Sequence, residues 1–199
     1  MQMNARSIGR RGGGRCAHSR RAAGILVLLV SLLGMSGGAV LAAGPGDPPV
    51  YNPASKSYFQ MLGSTGRHGF WGEAQDQARS QVFKGVRGRL AIVDTPETHK
   101  FVMASFDVSQ PMWIGLRYWC EFRMLEWVGT RPYSPSDTGR FEAWHPQWAS
   151  QTCLPRVSGP DAFLAVYYQP ISKVTALWQA VRLGKGFGRL LVEYPTGGE

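Results

Sequence analysis

Between residues 130 and 161 the chain gathers side chains able to hold a ligand: Tyr133, Asp137, Trp144, His145, Gln147 and Trp148. Trp faces stack on sugar rings or anchor protein contacts. The Tyr, Asp, His and Gln groups donate and accept hydrogen bonds around them. This is recognition chemistry. A nucleophile beside a base is missing, and the chain has no Gly-x-Ser-x-Gly, His-Glu-x-x-His or dinucleotide fingerprint. Neither Cys120 nor Cys153 is spaced with a His as a catalytic pair. His68, His99 and His145 sit at no metal-ligand spacing. Gly184-Lys185-Gly186-Phe187-Gly188 lacks the spacing of a phosphate loop and reads as a tight turn between the last two strands. The expectation is a binding module, not an enzyme, with no cofactor and no metal. The same loop is also compatible with plain solvated turns at Tyr133 to Asp137.

Such residues need elements to position them. Ser57 to Leu62 has strand character, and Gly63 to Gly66 breaks it. Phe70 to Phe83 suits a helix, because Trp71, Ala74, Ala78 and Val82 fall on one stripe. Leu90 to Val93 reads as a short strand. Asp94 or Thr95 then caps a second helix with Pro96 in its first turn and Glu97 near its positive end. Phe101, Val102 and Phe106 can face a core from it. Strands are expected over Trp113 to Leu116, Leu125 to Val128, Phe163 to Tyr168, Ala176 to Val181 and Leu190 to Tyr194. Residues 130–161 hold Pro132, Pro135, Pro146, Pro155 and Pro160 with few strand signals, so they form a long loop of the kind that carries function when ordered. Early helices and later strands predict an α+β domain, with two helices packed on antiparallel sheets.

The front of the chain is different. Residues 1–43 carry six Arg and no acid, followed by the uncharged run Gly24 to Leu33 and then small residues up to Ala43. This is the layout of a secretory signal peptide cut after Ala42 or Ala43. The rival is an uncleaved signal anchor, since Ala22 to Ala43 is about the length that spans a bilayer. Export places the domain outside the cell or in the periplasm or cell envelope, and membrane attachment follows only if the front is retained. Removing it leaves 16 basic against 13 acidic side chains, too little positive charge for a nucleic-acid partner. Residues 44–56, with four prolines, read as a linker. In an oxidising compartment Cys120 and Cys153 can pair as a disulfide, with two unrelated buried thiols as the other reading.

Six pieces now stand in order: Trp71-x-x-Ala74, Gly88-x-Leu90-Ala91-x-Val93, Pro96-Glu97-x-x-x-x-Phe101, Trp113-Ile114-Gly115-Leu116, Trp127-Val128-Gly129 and Val192-Glu193-Tyr194-Pro195. Together they resemble the C-type lectin-like domain, over residues 57–196. The resemblance implies a core role for Trp144. It also implies disulfides at positions that are Ala78 with Val192, and Ala162 with Leu183, so packing must act in their place. The family's sugar-binding calcium needs carboxylate triplets where this chain has His145-Pro146-Gln147 and Trp178-Gln179-Ala180. Calcium takes six to eight oxygen ligands, chiefly carboxylates and carbonyls, so the resemblance implies a calcium-independent module for a glycan or protein ligand. A structural or assembly component of the cell envelope, with no soluble ligand, is the alternative.

Overall fold

A computed structural model describes residues 43–135, 137–148 and 163–196. The signal segment before Ala43, Cys16, Cys153 and Ala162 lie outside the described residues. The elements in chain order are β1 (Val50–Asn52), β2 (Ser57–Gly63), α1 (Trp71–Ser80), β3 (Val82–Phe83), β4 (Val86–Arg87), β5 (Arg89–Leu90), α2 (Pro96–Ser105), β6 (Met112–Trp119), β7 (Met124–Trp127), β8 (Phe163–Ser172), β9 (Thr175–Val181) and β10 (Arg189–Pro195). Among the described residues no helix is long and apolar enough to cross a membrane.

Each helix starts where its sequence says it should. The Glu73 carboxylate reaches back to accept from the Phe70 and His68 amides, at 3.0 and 3.1 Å. This occupies donors that the first turn of α1 leaves unpaired, and those backbone bonds hold its carboxyl below the usual range. At α2 the hydroxyl of Thr95 accepts from the Thr98 amide at 3.2 Å, with Pro96 in the first turn. Helix α1 ends at Ser80, three residues short of the expected end at Phe83. Lys84 (φ 50°) and Gly85 (φ 80°) turn the chain into the β3–β4 hairpin instead, as consecutive positive φ angles do in a two-residue hairpin loop. Val82 therefore leaves the apolar stripe and is 62% exposed.

The main sheet runs β1-β2-β10-β6-β8-β9, with β5 on β10 and β7 on β6. Its pairings among the described residues are antiparallel, as expected, with one parallel exception. The closing strand β10 inserts between β2, to which it is antiparallel, and β6, to which it is parallel at Leu190↔Trp113. The Gly184 to Gly188 run is consequently no hairpin turn between neighbours, because β9 and β10 are separated by β6 and β8. The segment read as linker also contains β1, whose Val50 pairs with Phe59. Pro48, Pro49 and Pro53 flank it, and prolines are tolerated at a sheet edge where no partner needs their missing N–H.

Successive side chains of a strand point to opposite faces, and the sheet separates two apolar clusters accordingly. Ile114, Leu116, Trp127 and Trp178 join Val102 and Phe106 of the α2 side. Trp113, Leu190 and Val192 join Trp71, Ala74 and Ala78 of α1. Ala78 and Val192 are both fully buried in this second cluster. A Cβ on Gly88 would meet the Ala78 carbonyl oxygen and Val192 Cγ1 at 2.6 and 2.7 Å. Helix and closing strand are thus joined by close packing across a glycine, where the family resemblance implies a disulfide.

Candidate functional site

The long loop leaves β7 through Gly129 (φ 79°), a conformation glycine adopts without steric cost. Tyr133 returns at once to the sheet, exchanging two 2.8 Å backbone hydrogen bonds with Leu125. It is 4% exposed, and the Arg140 guanidinium lies 4.3 Å from its ring centre. Burial, and then the charge of Glu142, push its hydroxyl up to about 12. Tyr133 is therefore a floor residue of the loop. This corrects its expected place on the recognition surface; the polar spacing around it signalled a turn but carried no burial information. Asp137 serves that turn: its carboxylate accepts from the Ser134 amide at 3.2 Å, and its own amide donates to the Ser134 carbonyl at 3.0 Å.

The rest of the described loop is fastened to the edge of β9. The Trp178 amide donates to the Ala143 carbonyl at 2.6 Å, and the His145 amide donates to the Trp178 carbonyl at 2.8 Å. A short strand-like contact, Trp144↔Trp178, results. The turn that follows is closed by the Trp148 amide on the His145 carbonyl at 2.8 Å. The His145 ring Nδ1 accepts from the Gln147 amide at 3.1 Å, which in the neutral ring puts the proton on Nε2 as a donor. Trp144 and Trp148 stack at 5.0 Å and 26°. Below them Trp144 meets the edge of Trp178 at 5.6 Å, and Trp148 meets Tyr118 of β6 at 5.6 Å. Three of the five expected contact residues, His145, Gln147 and Trp148, thus share one turn on an aromatic floor with Trp144, and all four are at least partly exposed.

Sequence reasoning missed Tyr118 and Trp178 as that floor. Alternation along β6 places Tyr118 opposite Arg117 and Trp119, and it was the available signal. Glu142 also belongs to this turn. Its Oε2 accepts from Trp144 Nε1 at 2.8 Å, while its Oε1 is buried with no hydrogen-bond partner among the described residues. Burial raises its carboxyl, and the Trp144 bond opposes this more weakly. A raised folded-state value means that the native chain keeps the proton longer than the unfolded one. Stability is then lost as pH rises from the unfolded value through the folded one, and the penalty persists above it. Glu142→Gln keeps an acceptor for Trp144 without the charge. It is expected to melt higher than the parent at pH 7 and to match it at about pH 4, near the unfolded carboxylate range. A Glu142→Gln protein that melts lower at pH 7 would contradict this origin of the shift.

The positions that hold calcium in the resembled family carry other chemistry here. Gln179 gives its amide oxygen to the Tyr167 hydroxyl at 2.6 Å. Among the described residues, no group of three or more His, Cys, Asp or Glu is placed to hold a metal. His99 is a packed residue: its Nδ1 lies 2.8 Å from the Tyr168 hydroxyl, and burial lowers its proton affinity.

No family model matches the sequence, and no curated protein matches it. Solved structures do match the fold. A structure titled as the SPL-1–GlcNAc complex aligns with TM-score 0.51 and 16% identity, over 77% of this chain and 96% of that one. The C-type lectin domain of murine dendritic cell inhibitory receptor 2, in complex with N-glycan, aligns with TM-score 0.51 and 15% identity, over 75% and 99%.

Proposed function

Proceeding from a C-type lectin-like fold, we propose that this chain is an exported, non-enzymatic binding module that holds a carbohydrate on the Trp144–Trp148 turn of its long loop without calcium. The observation that carries this reading is the turn itself. Two stacked indoles and a His–Gln pair stand partly exposed, on a floor fixed by two backbone hydrogen bonds to β9. Rigid scaffolds that present polar and aromatic loops are where recognition is commonly built. Two similarly folded proteins were solved in complex with GlcNAc and with N-glycan, which supports a sugar as the first ligand to test, with a protein ligand next. The donor chemistry supports calcium independence: Gln147 and Gln179 supply amides where a calcium site wants carboxylates.

The export reading extends to the N-terminus and the cysteines. The Ala43 amide donates to the Ser105 carbonyl at 2.7 Å, and its carbonyl accepts from Asp107 at 2.9 Å. Ala43 thus has a use within the domain, which favours cleavage after Ala42. Cys120, buried at the end of β6, is proposed to pair with Cys153 and tie the loop to the sheet. One non-reducing intact mass reads both features: a chain starting at Ala43 and lacking two hydrogens is expected, and a full-length reduced chain rejects both.

The deciding test of function is a glycan array run in calcium and in chelator. Binding that survives chelator is expected. Binding abolished by chelator overturns calcium independence. Binding to no glycan in either buffer overturns the sugar reading and leaves a protein partner or an envelope structural role.

A further inference from the structure

Period-two alternation gives β6 two functional faces. Tyr118 supports the loop from one side of the sheet. Its neighbours Arg117 and Trp119 point to the other side, toward Trp71 of α1 and Phe163 of β8. There an open groove of about 410 Å³ is walled by Phe70, Trp71, Phe163 and Leu183, with Gln75 and Arg117 as polar members. Its volume lies within the range of small-ligand sites, which are mostly apolar with a few placed polar groups.

The polar members are poised for a ligand. The Arg117 guanidinium is held among the rings of Trp71, Trp119 and Phe163, at 5.7, 5.3 and 5.4 Å from their centres. Its NH2 is paired to Glu126 at 3.0 Å, and its Nε is buried with no acceptor among the described residues. The Gln75 amide makes no hydrogen bond among the described residues, so it offers both a donor and an acceptor at the groove. The charges near Arg117 decide the ligand class. Glu73 also lines the groove and Glu126 pairs the guanidinium. One carboxylate on the guanidinium and a second along the groove lining disfavour an anion. Aromatic walls, one amide and a neutralised guanidinium suit an uncharged ring bearing hydroxyl groups.

We infer that this groove is a second saccharide subsite, taking a neutral sugar ring on the sheet face opposite the long loop. The inference rests on the glycan reading of the module but not on the loop as the place of binding. Two sites on opposite faces let one chain engage two branches or two glycans, which raises avidity without new contacts.

The experiment uses the full chain on an array of neutral and acidic glycans, with Gln75→Ala, Leu183→Arg and Trp148→Ala compared with the parent. Gln75 has no partner to lose, and Leu183 is 42% exposed at the groove wall, so both groove variants are expected to melt with the parent. Each is expected to weaken binding to neutral glycans about tenfold, the factor that follows from losing about 1.4 kcal/mol of contact. Groove variants that bind like the parent while Trp148→Ala does not would overturn the groove and leave the loop reading standing. The reverse pattern would support the groove and remove the loop. Binding confined to acidic glycans would overturn the neutral class, and a parent that binds no glycan would overturn both sites.

Discussion

Gly186→Ala is expected to destabilise the protein by about 3 kcal/mol, the upper range for forcing atoms into a packed interior, while Gly184→Ala, two residues away, is expected to change little. A Cβ on Gly186 would land on the backbone carbonyl oxygen of His68, whereas one on Gly184 meets nothing within 4 Å. The carbonyl cannot move freely. Gly186 forms a bridge with Phe70, and the Phe187 amide donates to the Gly69 carbonyl at 2.9 Å. That same carbonyl accepts from Trp113 Nε1 at 2.7 Å, so the buried indole of β6 depends on the arrangement. Gly69 itself sits at φ 63°. Displacing this contact shifts the start of α1, the Trp113 anchor and the connection into β10 together. Urea unfolding midpoints of the two variants, at unchanged slope, measure the difference. A Gly186→Ala midpoint equal to the parent's would mean that this junction is slack and that the close approach has no energetic role.

That junction marks where sequence reasoning reached its limit. The helices were legible because their signals are local. Trp71, Ala74 and Ala78 repeat on one face, and Thr95-Pro96 caps and starts the second helix. The strands were legible from β-branched and aromatic runs, and the six ordered pieces pointed to a fold that the structural matches support. The run Gly184 to Gly188 was read as a hairpin turn because glycine spacing reports a chain reversal and not its partner. That β10 crosses to lie between β2 and β6 depends on pairings far apart in sequence, those with β2 by more than a hundred residues. The Trp144–Trp148 turn was legible in composition, since Trp144, His145, Gln147 and Trp148 lie close together in sequence. Its attachment was not, because the bonds from Ala143 and His145 to Trp178 are made by backbone groups that every residue type carries. Tyr133 was misplaced for a related reason: an aromatic with a hydroxyl suits both a wet surface and a pinned core position.

The attachment gives the second large effect. Trp178→Ala is expected to cost about 4 kcal/mol, as truncation of a buried Trp generally does, and to abolish loop binding along with it. Trp178 is fully buried and meets Trp127, Phe141 and Trp144 edge-on at 5.5, 5.5 and 5.6 Å. Its removal opens a cavity beneath the Trp144–Trp148 pair, so the indoles lose the surface that orients them. Trp148→Ala isolates the other half of the argument. Trp148 is partly exposed, lies at the margin of the core and meets the rings of Trp144 and Tyr118. It is expected to lose loop binding while melting within a few degrees of the parent, the shift that about 1 kcal/mol produces in a domain of this size. Two measurements on each variant, a thermal melt and a glycan-binding isotherm, separate floor from contact. Amide exchange at His145 adds a local readout, because its N–H donates across to Trp178. Trp178→Ala should accelerate that exchange and Trp148→Ala should not. If Trp178→Ala were destabilised yet bound ligand as tightly as the parent, binding would not depend on the Trp178 floor, and the recognition surface would have to be sought away from the Trp144–Trp148 turn that this floor supports.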